Sequence, residues 1–486
     1  MHLSTPLVLR NGNRIANRIA KAAMEESLAR QPGQLPGPEI EELYRSWARG
    51  GSGLIITGNV MVDRRALTSP GTIVLDAGSD LAPFRRWAAA AGSGGCQVWM
   101  QINHPGRQVR ADLPGVAWAP SDIGVNLGKH TRVFARPTAM TEADVQATIQ
   151  RFATTARLAE EAGFHGVQIH AAHGYLLSQF LSPLVNRRTD RWGGSLENRA
   201  RLLLSVVRAV RAEVSDGFAV SIKINTADFQ RGGFDVDEVE QVLAFLKDLD
   251  VDLVELSGGS VESAATMGRT ADDRTLGREA YFLAIAERLV ASAPMPLMLT
   301  GGIGRRASAE RVLASGFAMV GLATALALRP DLPARWEKGE DIEVSAPRLT
   351  WRDRDIASAG VLALVRSHMS RVSRGLAPRA RTSARLAFVL DALRNRGLTR
   401  AYGRWLAQHP APEPATPREP AGDPAPGGAS GSASGGGSGP VSGGGPGEGA
   451  VAVPAPVAGP EASAVTGPVP DGDAGAVAAP VRQTPP

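Results

Sequence analysis

Three side chains able to do acid–base and hydrogen-bond chemistry stand together in His170-Ala-Ala-His173-Gly-Tyr175. Two histidines three apart followed by a tyrosine can be metal ligands, a clamp that hydrogen-bonds a ligand, or satisfied core residues. A metal ion asks for a third ligand, usually a carboxylate or another histidine, and none stands at suitable spacing. Spacing alone leaves the clamp and the structural reading level.

Three further groups deserve the same question. In Gln101-Ile-Asn-His104-Pro-Gly-Arg107, Gln101 can donate and accept at once, which suits a ring carrying both kinds of group, whereas His104 and Arg107 suit anchoring of the next loop. Lys223 sits between Ile222 and Ile224. A buried ammonium is costly without a negative partner, which here is either a protein carboxylate or a ligand anion. Thr300-Gly-Gly-Ile-Gly304 and Val320-Gly-Leu-Ala-Thr324 let backbone amides approach a ligand closely, as phosphate sites require.

These residues fall at the ends of predicted strands. Eight short apolar runs alternate with helix-period sequence such as EADVQATIQRFATTARLAEEAG: 18–23, 54–58, 97–102, 166–170, 219–224, 253–257, 297–300 and 319–322. A doubly wound sheet ordinarily has fewer strands and a glycine fingerprint at its first turn. The count of eight predicts an α/β fold of the TIM (β/α)8 barrel kind. Within 166–170 the alternation of Val167 and Ile169 with Gln168 and His170 places His170 inward at the top, where barrels keep their chemistry. Roughly 65 residues separate the third and fourth runs, and such an insertion, including 106–137, is expected above the barrel mouth.

Composition narrows the rest. Hydrophobic residues make up 43% of the chain and aromatics 5%, so a sizeable core is expected and must be largely aliphatic. Cys96 is the single cysteine, which excludes an internal disulfide framework and a cluster needing about four thiolates; a buried, inert thiol is expected. The net charge of +5 is spread along helical segments without interleaved aromatics, so no nucleic-acid partner is expected. No run approaches about 18 uncharged apolar residues, and the N-terminus lacks a signal pattern, so a cytoplasmic location without membrane insertion is the expectation. From residue 411 onward Pro, Gly, Ala and Ser dominate, predicting a disordered tail over 411–486. Between barrel (1–335) and tail, 336–410 is expected to be a helical extension. There Ser383–Gln408 reads as an amphipathic helix laying Leu386, Val389, Leu390, Leu393, Leu398 and Trp405 on the barrel, with Gly397 as a candidate interruption.

The stretch HAAHGYLLSQFLSPLVNRRTDRWGGSLENRARL, with NRIAKAAM, GLIITGNVMVD and QINHPGRQ in order before it, resembles the Old Yellow Enzyme or NADH:flavin oxidoreductase family over residues 3–335. The resemblance implies FMN across the barrel mouth, with its phosphate on the amides of Gly301, Gly302, Ala323 and Thr324. Ala22, Ala23 and Met24 would meet the isoalloxazine edge, Gln101 its pyrimidine ring, and Lys223 the N1/O2 side. It implies that His170 and His173 bind the oxygen of an electron-poor alkene and that Tyr175 supplies a proton, with NADH or NADPH as reductant. Two departures stand out: Glu25 follows Ala23-Met24 where relatives carry Thr or Cys, and Thr324 stands where they carry a phosphate-side arginine. The single cysteine sets the chain apart from relatives with an iron–sulfur cluster, and residues beyond 335 show no dinucleotide fingerprint. Other readings on the same scaffold are a flavin-dependent dehydrogenase or demethylase, or a non-catalytic flavin-binding protein. A homo-oligomer is compatible with the sequence, which encodes neither the oligomeric state nor the physiological alkene.

Overall fold

The structure is a computed structural model that describes residues 2–262, 287–377 and 382–413. From 414 onward the expected disordered tail lies outside the described residues.

Eight parallel strands close on themselves: β1 (Ile19–Lys21), β2 (Leu54–Ile56), β3 (Gln97–Asn103), β4 (Gly166–Ala171), β5 (Ala219–Asn225), β6 (Leu253–Ser257), β7 (Leu297–Thr300) and β8 (Met319–Leu322). Each pairs with the next, and β8 returns to β1 through Val320 opposite Ile19. The predicted TIM barrel is therefore present, with all eight predicted runs as its staves.

The two-residue period of these strands divides the core. Outward side chains such as Val98, Met100, Val167, Ile169, Ile222, Val254, Leu299 and Val320 join the large cluster beneath the surrounding helices. These include α1 (Pro38–Arg49), α2 (Ala82–Gly92), α3 (Glu142–Glu161), α4 (Leu196–Glu213), α5 (Val236–Phe245) and α6 (Arg306–Ala314). The predicted EADVQATIQRF helix is α3, begun by a capping box between Thr141 and Asp144. Inward side chains change character with height. Leu54, Trp99, Ala219, Leu253, Met298 and Met319 fill the lower barrel together with Leu7, Leu9 and Ile15 from an N-terminal hairpin that plugs the floor. Above them the inward positions become Gln101, His170, Lys223, Glu255 and Thr300. Apolar below and polar above, the same strands build both a core and a site.

The insertion after β3 carries a small parallel pair, Trp118–Ala119 with Thr138–Ala139, and a 3-10 turn at Gly128–Val133. Beyond the barrel come α7 (Arg354–Val372) and α8 (Ala384–Gln408), and α8 runs through Gly397 without a break. Its orientation corrects the sequence reading for the aliphatics, while Trp405 is buried as expected. Leu386, Val389, Leu390 and Leu393 are each more than half exposed, and the buried face is Ala387, Asn395, Tyr402 and Trp405. The aromatics decide this. Tyr402 donates from its hydroxyl to the Arg64 carbonyl at 2.8 Å, and the Arg64 guanidinium, paired to Asp76, lies 5.1 Å from the Trp405 ring centroid. At the other end small Ala387 meets Ala363 and Leu364 of α7, which turns the larger aliphatics away. Among the described residues no helix is long and apolar enough to cross a membrane.

Candidate active site

At the top of β4, His170 is buried, and the Ala172 amide donates to its Nδ1 at 3.2 Å. A neutral imidazole accepting at Nδ1 carries its proton on Nε2, so His170 is set as a hydrogen-bond donor. His173 follows with φ 61°, a left-handed conformation held from three sides. Its amide donates to Asn225 Oδ1 at 3.1 Å, its carbonyl accepts from Gln108 at 2.7 Å, and its Nε2 lies 2.8 Å from Ser257 Oγ. The two imidazoles are 5.1 Å apart between centroids, and the Tyr175 ring stands 4.9 Å from His170, edge to face. The three residues singled out by spacing thus form one cluster at the mouth.

Burial keeps both imidazoles neutral. Desolvation pushes His170 well below its ordinary value, His173 and Lys223 adding to the effect, and takes His173 down to about 3 with Lys223 again contributing. His104, stacked on Trp118, is pushed down to about 4 by burial. These shifts predict acid lability. The folded values lie below the unfolded one near 6.5, so as pH falls from 6.5 toward 4 the unfolded chain binds protons that the native state excludes. Stability is complete above that window and drops within it by about 1.4 kcal/mol per group and pH unit. Urea midpoints at pH 7 and pH 5 check this: the midpoint falls on acidification and falls less in His104→Gln, whereas equal midpoints for the wild type at both pH values contradict it.

Below the histidines a polar chain crosses four strands. Gln101 donates to Gln168 Oε1 at 2.8 Å, Gln168 to Glu255 Oε2 at 2.8 Å, and Lys223 to Glu255 Oε1 at 2.7 Å. The partner that Lys223 requires is therefore a protein carboxylate, a residue the sequence reading did not name. The signal was available: Lys223 in SIKIN and Glu255 in LVELS each interrupt an apolar run, and the register sets them directly opposite. Also unanticipated are Asn103 at the top of β3, both of whose buried amide atoms lack a partner among the described residues, and the buried Lys21–Glu26–Tyr44 group. Desolvation lowers the Lys21 ammonium to about 8.

His104 and Arg107 anchor the insertion as expected: His104 Nδ1 accepts from Gly106, while Arg107 donates to the Gly124 carbonyl at 2.8 Å and pairs with Glu262. Cys96 is buried, its thiol pushed up to about 11 by desolvation, in keeping with an inert residue. Glu25 is held by Ser69, Thr72 and Arg366.

On the far side of the mouth, Gly301 (φ 146°) and Gly302 (φ 62°) follow β7 in conformations that favour glycine, with open space where a Cβ would stand. Thr300 Oγ1 is buried without a partner among the described residues. Ala323 and Thr324 follow β8 and open the short helix Thr324–Leu328, while Ala22 is buried and Ala23 and Met24 partly so at the top of β1.

The sequence profile of the NADH:flavin oxidoreductase / NADH oxidase family matches residues 2–343. The chain belongs to this family. It is similar to the NADH-dependent flavin oxidoreductase iliE of Hypocrea jecorina, 38% identical over 355 residues that cover 68% of this chain and 88% of that one. It is also 30% identical to the NADH oxidase of Thermoanaerobacter brockii, over 68% of this chain and 50% of that one. Among solved structures, the Old Yellow Enzyme homologue from Zymomonas mobilis superposes with a TM-score of 0.59 at 24% identity, covering 71% of this chain and 95% of that one. Morphinone reductase gives a TM-score of 0.57, also at 24% identity, over 71% and 91%. At that identity these two bear on the fold alone. The protein is thus an oxidoreductase of the NADH:flavin oxidoreductase family, with FMN as its cofactor and a nicotinamide as its reductant. The unpartnered Thr300 hydroxyl and the open glycine pair fit such a group.

Proposed function

We propose that this enzyme reduces the activated C=C bond of α,β-unsaturated carbonyl or nitro compounds. FMN, when bound, would supply the hydride-transfer chemistry between nicotinamide and alkene. Gly301, Gly302, Ala323 and Thr324 would hold its phosphate, Gln101 and Lys223 its pyrimidine side, and Ala22, Ala23 and Met24 its edge. The chain's own contribution is polarisation and proton delivery. His170 Nε2–H binds the substrate's carbonyl or nitro oxygen, assisted by His173, and draws electron density away from the β carbon. Tyr175 gives its phenolic proton to the α carbon and recovers one from water.

The observation that carries this reading is the Ala172 amide on His170 Nδ1, which fixes a neutral donor beside a phenol 4.9 Å away between ring centroids. A permanently protonated pair would be a charge clamp; a neutral pair recognises a polarisable oxygen.

Anaerobic titration tests the proposal. Purified protein mixed with NADH loses its oxidised-flavin absorbance, and 2-cyclohexenone then restores it. In His170→Ala the restoration slows about 100-fold while bleaching persists. A reduced flavin that stays inert toward enones and nitroalkenes rejects the reductase assignment in favour of dehydrogenation or demethylation.

A further inference from the structure

The inward positions of β5 and β6 form two polar layers. Lys223 stands opposite Glu255, and one step higher Asn225 stands opposite Ser257. The lower layer is closed by its own ion pair. Both members of the upper layer reach His173. Asn225 Oδ1 accepts from the His173 amide at 3.1 Å while its Nδ2 donates to the Gly259 carbonyl at 2.9 Å, so the carboxamide is fixed at both ends. Ser257 Oγ lies 2.8 Å from His173 Nε2. With Gln108 on the His173 carbonyl, these contacts hold a residue other than glycine at φ 61°, a conformation that needs outside support.

The bond between Ser257 and His173 can run in either direction, and the two directions leave different groups unpaired. Burial, with Lys223 adding to it, keeps the ring uncharged by lowering it to about 3, so it has one proton to place. Among the described residues neither Ser257 Oγ nor His173 Nδ1 has a further partner. Were Nε2 the donor, the hydroxyl hydrogen would have no acceptor, in a residue only 9% exposed, and Nδ1 would present a bare lone pair. With the hydroxyl as donor, one group alone is left over, an Nδ1–H. Leaving a buried donor unmade is costly, which favours the second direction. An oxygen ligand then completes it.

We propose that Ser257 is a positioning residue for the reaction: its hydroxyl donates to His173 Nε2 and places the imidazole proton on Nδ1. The inference rests on the reading of the histidine pair as a clamp for the substrate's oxygen. It makes both members donors through different nitrogens, His170 through Nε2, because the Ala172 amide occupies its Nδ1, and His173 through Nδ1, because Ser257 occupies its Nε2. The reversed bond would give one donor and one acceptor, a pair that suits a hydroxyl and repels a carbonyl or nitro oxygen.

The test uses the full-length holoenzyme with isotope-labelled histidine nitrogens, the His173 signals being those lost in His173→Gln. By NMR the protonated nitrogen of His173 in the parent is Nδ1. In Ser257→Ala the proton spreads over both nitrogens. The dissociation constant for 4-nitrophenolate then rises about five- to tenfold, and reduction of 2-cyclohexenone in a single turnover slows by a similar factor, since only the fraction of molecules with the competent tautomer binds. Ser257→Thr keeps the hydroxyl and restores both, a rescue that a packing role does not produce. If the added methyl does not fit, the tautomer in Ser257→Ala still decides. A parent proton on Nε2, or a tautomer unchanged in Ser257→Ala, overturns the proposal. Parent-like affinity for 4-nitrophenolate in both His170→Ala and His173→Ala removes the clamp, and Ser257's role with it, whichever nitrogen holds the proton.

Discussion

Replacing Tyr175 with phenylalanine slows reoxidation of the reduced enzyme by 2-cyclohexenone 100- to 10,000-fold, to order of magnitude, and leaves its reduction by NADH within a factor of about two. The asymmetry follows from what the phenol does. It supplies a proton to carbon, a step that belongs to the alkene half-reaction alone, while hydride uptake from the nicotinamide needs no proton from it. Phenylalanine retains the ring that stands edge to face 4.9 Å from His170, so the clamp stays in place and only the proton is lost. Stopped-flow traces of the two half-reactions, followed at the flavin absorbance, decide the matter. Equal slowing of both would mean that Tyr175 shapes the pocket for either ligand. No slowing of either would mean that solvent or another acid protonates the α carbon.

Unfolding of Glu255→Leu in the flavin-free protein is expected to require about 3–5 kcal/mol less than unfolding of the parent. Glu255 is fully buried, and it receives both Lys223 and Gln168. Leucine fills nearly the same volume, but it leaves an ammonium and an amide donor facing hydrocarbon. The companion Lys223→Met/Glu255→Leu removes both charges together and recovers most of the loss, because two well-packed apolar side chains replace a desolvated pair at little net cost. Urea midpoints with an unchanged slope measure both. A double variant no more stable than Glu255→Leu would place the energy elsewhere than in the buried pair.

The barrel was legible because its signals are local and repeated. Eight apolar runs, each short and spaced by helix-period sequence, need little tertiary information to be read as staves, and Val167–His170 shows within one strand which residues face in. The histidine–histidine–tyrosine cluster was legible for the same reason, since all three come from β4 and the turn that follows. What the sequence leaves open is anything that joins distant segments. Glu255 could not be paired with Lys223 until the β5–β6 register placed them opposite each other. Arg366 could not be assigned to Glu25 from any periodicity, because 340 positions separate them and only the path of α7 brings them together.

The clearest divide is α8. Its sequence by itself determined a helix over Ser383–Gln408, and the structure begins that helix at Ala384 with Ser383 as its cap. Which face it buries was decided by tertiary structure. Four large aliphatics at helical spacing predict an inward stripe, yet the aromatic anchors Tyr402 and Trp405 take the docking site beside Arg64, and small Ala387 allows close approach to α7. A rigid helix has one rotation about its axis, so burying the anchors at one end fixes the direction of Leu386–Leu393 at the other. Periodicity specifies faces; only a partner surface of particular shape selects among them.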